Sequence, residues 1–274
     1  MKKIYLLLIL CACAMGANAQ KEIYGEYDGT NLVIRYNEYR ESRGGVTEWW
    51  GSQYSNLRSQ VQLIMIDGSM NNARPTSTAG WFSGFDNLVE IVGMENLNTI
   101  NTTDMQDMFA YSSKLKSIDL DNLQTGYVRN MSGMFLMCEA LKELDLYSFH
   151  ISFLQNTEAM FGGCSNLERI YCPLNWYDSD DLTNSQDMFY GCVKLKGGQG
   201  TLFQEDYTDK HYARPDKGWT LEGYFWTISD TGYPEGIEQT TIDQLPTTNK
   251  VIRDGMLLIE RNGKTFNAQG VEVR

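Results

Sequence analysis

The stretch Met134-Phe135-Leu136-Met137-Cys138-Glu139-Ala140-Leu141-Lys142-Glu143-Leu144-Asp145-Leu146 decides how this chain is read. Its apolar residues return elsewhere at the same offsets. Met108-Phe109, Met134-Phe135, Met160-Phe161 and Met188-Phe189 stand 26, 26 and 28 residues apart. Seven residues after each Met comes Leu115, Leu141, Leu167 or Leu195. Three further on stand Ile118, Leu144, Ile170 and finally Gly198, and two more give Leu120, Leu146 and Cys172. Trp81-Phe82, 27 residues before Met108-Phe109, opens a degenerate fifth unit with Leu88 and Ile91 at matching places.

A fixed period in the twenties with the pattern L-x-x-L-x-L points to a leucine-rich repeat. The expected fold class is an α/β-type repeat solenoid, right-handed, mostly β with short helical turns. Each unit is too short to bury its own apolar face, so neighbours must cover it. Ile118 and Leu120 alternate with Asp119 and Asp121, a period of two that predicts a short strand, and Leu144 and Leu146 repeat it around Asp145. The Met-Phe segment is expected to turn the chain or form a brief helical turn. A stack of this kind offers an elongated surface rather than one deep cleft, which suits binding more than catalysis.

Two further columns have two readings each. Asp104, Asn130, Asn156 and Asn184 sit four residues before each Met. They satisfy backbone groups at a turn, or they form an exposed polar row for a ligand. Ser112, Cys138, Cys164 and Cys192 sit four residues after it. The cysteines are small buried hydrophobes, or stacking brings them into disulfide range. The methionines read as core filling.

The chain divides by pattern. Residues 1–19 read as a secretory leader, with Lys2 and Lys3 before an apolar run and small residues ending at Ala19, so that cleavage leaves Gln20 first. Leu10-Cys11-Ala12-Cys13 admits the alternative of a lipoprotein acylated on Cys13. Residues 20–80 form a β-rich N-terminal cap, with a hairpin predicted at Asp28-Gly29 and the Trp49-Trp50 loop within it. About five coils fill residues 81–200, ending where Gly197-Gly198-Gln199-Gly200 breaks the pattern. Residues 201–228, with Phe203, Tyr207, Tyr212, Trp219, Tyr224, Phe225 and Trp226, read as the closing cap. Residues 229–250 carry Pro234 and Pro246 and read as a linker. Residues 251–274 form a small β module with a hairpin signal at Asn262-Gly263.

The chain carries 23 Lys and Arg against 35 Asp and Glu, a formal net charge of −12. Loss of Lys2 and Lys3 with the leader leaves 21 against 35, or −14. Nucleic acid and anionic membranes are therefore poor partners. No segment after the leader approaches 18 apolar residues, so no transmembrane span is expected.

No catalytic residue is assigned, and the chain is not expected to be an enzyme. His150 and His211, the two histidines, stand in no motif. There is no G-x-S-x-G elbow and no phosphate loop. No cofactor is expected, and no C-x-x-C pair or Cys/His spacing marks zinc. Asp178, Asp180 and Asp181 read as a solvated loop, with weak calcium binding as the alternative. The candidate binding residues are Trp49, Trp50, Trp176, Tyr177, Asp178, Asp180 and Asp181. Aromatic rings there suit sugars, while cap packing is the competing explanation.

Ala73 to Thr78 followed by Trp81-Phe82, Asn87-Leu88 and Gly93 to Thr99, the unit Met134 to Leu146, and the exit Gly197 to Thr201 with Tyr212-Ala213 and Gly223-Tyr224-Phe225 resemble BspA-like leucine-rich-repeat surface proteins. The resemblance covers residues 24–226. Tyr171-Cys172-Pro173 and the loop Trp176 to Asp181 depart from its usual aspartate-leucine ending. The resemblance implies an exported bacterial surface protein that binds host-matrix or cell-surface proteins, with glycan capture as the alternative. The segment Val251 to Arg274 resembles C-terminal tails of exported Bacteroides and Prevotella proteins. That likeness implies a partner in the export machinery, as a type IX sorting signal.

Overall fold

The computed structural model describes residues 20–172 and 174–227, and the backbone of four strands at 249–253, 256–261, 264–267 and 272–273. The leader with its Ala19 cleavage site, Cys11, Cys13, the linker before Asn249 and the Asn262-Gly263 pair lie outside the described residues. The chain divides into two compact units, the first ending at Thr227.

The first unit holds two small sheets. Strands β1 (Glu22–Asp28) and β2 (Asn31–Asn37) form an antiparallel hairpin around Gly29, whose φ of 58° the turn requires. β3 (Leu63–Ile66) and β4 (Glu90–Val92) add in parallel, so the N-terminal segment shares a sheet with the first repeat. The second sheet is β5 (Glu143–Asp145), β6 (Arg169–Tyr171) and β7 (Phe225–Trp226), all parallel. In the second unit β8 (Asn249–Arg253), β9 (Met256–Arg261), β10 (Lys264–Asn267) and β11 (Glu272–Val273) form an antiparallel meander. Arg261 stands opposite Lys264 there.

This overturns the expected α/β-type leucine-rich solenoid. The strands fall into separate small sheets, and no continuous strand spine runs through the units. Among the described residues the α-helical content is one four-residue turn, Ser55–Arg58. The break falls at Ile118–Leu120, which form no strand, with Ile118 only partly buried. Charge accounts for it. Glu143 lies opposite Arg169 in the β5–β6 ladder and pairs with it. The same register carried one unit back would set Asp119 against Asp145. Like charges directly opposite disfavour a ladder, and opposite charges favour it. The crowding shows at Asp121, whose pKa is raised by burial and then by the charges of Asp119 and Asp145.

What the repeat builds instead is a column of turns. In the unit containing Met134, overlapping turns close through Met134 N to Met131 O, Leu136 N to Gly133 O and Cys138 N to Phe135 O, at 2.9–3.2 Å. The alternate amides of Met131, Gly133, Phe135 and Met137 donate to Asn156, Glu158, Met160 and Gly162 of the next unit, at 2.7–2.9 Å. The amide left over, that of Ser132, donates to the Asn130 side chain at 3.1 Å. Every backbone donor from Met131 to Cys138 thus has a partner, as buried polar groups require. Parallel bridges link Ser77, Asp104, Asn130, Asn156 and Asn184 in succession.

Inside the turns lies a file of phenylalanines. Phe82, Phe109, Phe135, Phe161 and Phe189 stack at centroid separations of 5.2, 5.5, 5.8 and 5.5 Å with interplanar angles of 18°, 4°, 2° and 9°. All five are fully buried. The methionines before the last four and Leu115, Leu141, Leu167 and Leu195 are buried beside them. So are Leu120, Leu144, Leu146 and Ile170. Aromatic edges close both ends: Trp81 meets Phe82 at 6.5 Å, and Tyr224 meets Phe189 at 5.2 Å and 82°. Beyond Leu195, the turn at Gly197 to Thr201 is held by the buried Asp216 carboxylate. It accepts from Gln199 N, Thr201 N, Thr201 Oγ1 and Gly218 N at 2.8–3.0 Å.

Phe135→Ala empties the middle of the file. Such a truncation should lower the unfolding free energy by about 3–5 kcal/mol in a denaturant titration. Asp107 also carries a testable cost. Its pKa is raised, first by burial and then by Asp104, although a hydrogen bond from Gln106 acts the other way. A carboxyl raised in the folded state binds its proton more tightly there than when unfolded, so it favours folding as pH falls and opposes it as pH rises. Asp107→Asn, which replaces the carboxylate with a neutral amide on a residue type tolerated at this φ of 52°, should raise Tm at pH 7. The gain should shrink as pH falls towards about 4.

Candidate interaction surfaces

The structure separates the sequence-predicted binding residues. Trp49 is fully buried, edge-on to Trp50 at 4.8 Å and to Trp81 at 5.1 Å, with its Nε1 donating to Trp81 O at 2.9 Å. Trp50 is half-buried and stacks on Trp81 at 6.0 Å. Trp176 is fully buried, edge-on to Phe225 at 5.6 Å. The reading of Trp49 and Trp176 as exposed sugar platforms is thereby corrected, because both rings are used to close the ends of the core.

The remainder of that set is exposed. The Tyr177 ring lies 5.2 Å from the His211 ring and 5.2 Å from the Arg214 guanidinium. Asp178 accepts from Asn175 Nδ2 at 2.6 Å. Asp180 and Asp181 face solvent. Lys210 Nζ clips the loop by donating to Ser179 O at 3.0 Å and Leu182 O at 2.8 Å. Among the described residues no group of three or more His, Cys, Asp or Glu is placed to hold a metal ion.

The column of Asp104, Asn130, Asn156 and Asn184 serves the backbone. Each side chain accepts from the amide two residues on, at 3.0–3.4 Å. The cysteine column does likewise. Cys138, Cys164 and Cys192 are free thiols, each donating to the phenylalanine carbonyl of the preceding unit at 3.0–3.1 Å. Ser112 makes the same bond to Phe82 O at 2.7 Å. Burial pushes all the thiols up, to about 12 for Cys164 and Cys172.

Two exposed rows escaped the sequence reading. The first lies on the turns. Each unit carries a left-handed residue three places after its Met or equivalent Trp: Gly84, Tyr111, Met137, Gly163 and Gly191, with φ between 57° and 72°. Tyr111 and Met137 are exposed there, as is Tyr190 beside Gly191. Backbone bonds of 2.7 Å tie Tyr111 N to Leu136 O, Met137 N to Gly162 O and Gly163 N to Tyr190 O. The second row is Ile100, Tyr127 and Phe153, one from each of three successive units and all exposed. Tyr127 and Phe153 stack at 6.2 Å and 14°. Arg129 lies 5.9 Å from the Phe153 ring centre. Periodicity alone flags the column but does not say that it points outward. That follows from the alternation of the turns.

Residues 76–200 match the family described as Mycoplasma protein of unknown function, DUF285. Comparison with curated proteins and with solved structures gives no match. No helix among the described residues is long and apolar enough to cross a membrane.

A thiol buried in this way is neither ionised nor reachable near neutral pH. Cys138, Cys164, Cys172 and Cys192 should therefore be silent to a thiol reagent at pH 8 in the native protein and react fully in guanidinium. Reducing agent should leave Tm unchanged.

Proposed function

We propose that this chain is an exported, non-catalytic surface protein of the BspA-like type that binds host-matrix or neighbouring-cell proteins. The observation that carries the reading is the strained turn row. The left-handed position accepts glycine and holds it in three units. Placing Tyr111 and Met137 there costs about 1–2 kcal/mol each. Strain of this kind persists only where the surrounding structure over-determines it, and it clusters at functional sites. Here it holds an exposed tyrosine and an exposed methionine, side chains favoured at protein interfaces.

The match over residues 76–200 supports the BspA-like assignment, because it falls inside the stretch that carries the resemblance. The excess of acidic residues over basic ones favours a partner with basic or neutral contact patches. The leader expected at residues 1–19 would deliver the chain to the exterior, with the tail as a second export signal. Individual specificity would come from the exposed Tyr177, Asp178, Asp180 and Asp181.

The test is biolayer interferometry of the purified chain against immobilised fibronectin, fibrinogen and laminin. Saturable binding to at least one is expected. Tyr111→Gly with Met137→Gly should weaken it about tenfold, equivalent to roughly 1.4 kcal/mol. Tm should be unchanged or raised, since glycine relieves the left-handed strain. Binding that ignores both substitutions would remove this row as the site.

A further inference from the structure

We propose that a groove beside Tyr127 is a binding site for a neutral saccharide, independent of the protein-binding row. The groove has a volume of about 470 Å³ and is lined by Ile100, Asp121, Asn122, Gln124, Tyr127 and His150 among others. That volume lies within the roughly 300–1,000 Å³ of small-ligand sites.

Its two kinds of surface match the two faces of a sugar. A pyranose presents a flat array of C–H groups on one face and hydroxyls around its edge. Tyr127, 61 % exposed, lines the groove and offers it an aromatic ring, and Phe153, 45 % exposed, stacks nearly parallel on Tyr127 and steadies that ring. The Asn122 and Gln124 amides, the Asp121 carboxylate and the His150 imidazole belong to residues that line the same groove. Carboxylates and amides there can accept from and donate to vicinal hydroxyls.

The frame under these groups is rigid. Thr99 Oγ1 accepts from Gln124 N at 2.7 Å and donates to Gln124 O at 3.1 Å. One unit later Thr125 Oγ1 accepts from His150 N at 2.6 Å and donates to His150 O at 3.1 Å. Ser148 Oγ donates to Leu120 O at 3.0 Å. These bonds set the backbone on which the lining residues sit before any ligand arrives, and less ordering on binding means tighter binding.

Charge narrows the class. Asp121 lies within electrostatic reach of Asp119 and Asp145. Arg129 lies over the Phe153 ring and is not among the residues that line the groove. Uronate or sulfated sugars would meet like charge, so a neutral saccharide fits best.

The test is affinity electrophoresis of the full chain in gels holding mannan, xyloglucan, mixed-linkage β-glucan or starch, with chondroitin sulfate as the anionic comparison. Retardation by at least one neutral polysaccharide is expected. Titration should show it weakened about tenfold or more by Tyr127→Ala or Phe153→Ala, a loss of roughly 1.4 kcal/mol. Phe153→Tyr, which keeps the stacked ring, should stay within about threefold. Circular dichroism and Tm confirm that each variant is folded, as exposed positions predict. Tyr111→Gly should leave saccharide binding intact. No retardation by any neutral polysaccharide, stronger binding to chondroitin sulfate, or full binding by folded Tyr127→Ala would overturn the proposal. So would fibronectin binding that depends on Tyr127 with no saccharide bound.

Discussion

Everything in the first unit depends on how a string of turns disposes of its backbone amides. From Met131 to Cys138 the donors alternate, one closing a local turn and the next reaching the following unit. A strand sends its amides sideways to two neighbours, and a helix sends them along its own axis. This segment does some of each, so it needs left-handed residues at fixed places to reverse its direction. Glycine supplies them at Gly133 and Gly163, while Asp107, Ala159 and Asp187 take the same conformation without it. Because the cross-unit bonds are short and regular, the units repeat at a fixed spacing. That spacing lets the phenylalanines stack nearly parallel at 5.2–5.8 Å.

Columns of unlike residues then become intelligible as one role each. A side chain four places before Met must accept an amide two residues on, and aspartate and asparagine both do so. A side chain four places after it must be small and donate to a carbonyl below, and serine and cysteine are interchangeable there. The thiols are core atoms with one hydrogen bond. No disulfide adds to the stacking, which rests on burial and on the amide accounting.

The surfaces follow from the same frame. Turns set their left-handed residues at the periphery, so Tyr111 and Met137 project outward. The segment before each turn is clipped by Thr99 and Thr125 and presents Tyr127 and Phe153. Aromatics that lie off this frame are drawn inward at the ends, where Trp49, Trp81, Trp176, Tyr224 and Phe225 cover the last rings. Trp219, 93 % exposed, is the member of the C-terminal aromatic group that does not join them.

The period, the phenylalanine and methionine columns, the Leu column and the hairpin at Gly29 are legible in the order of residues. Each of these is a local pattern of burial or turn chemistry that survives any arrangement of neighbours. That order did not determine the fold class. A run such as Ile118-Asp119-Leu120 has strand periodicity, yet pairing depends on what would stand opposite: the register of the β5–β6 ladder would set Asp119 against Asp145, whereas that ladder itself gains the Glu143–Arg169 pair. Nor did it separate Trp49 and Trp176 from Tyr127 and Phe153, since an aromatic residue suits a core and a surface equally. The folded chain makes that separation, because exposure is set by which side of the turn alternation a residue occupies and by which chain segments cover the ends.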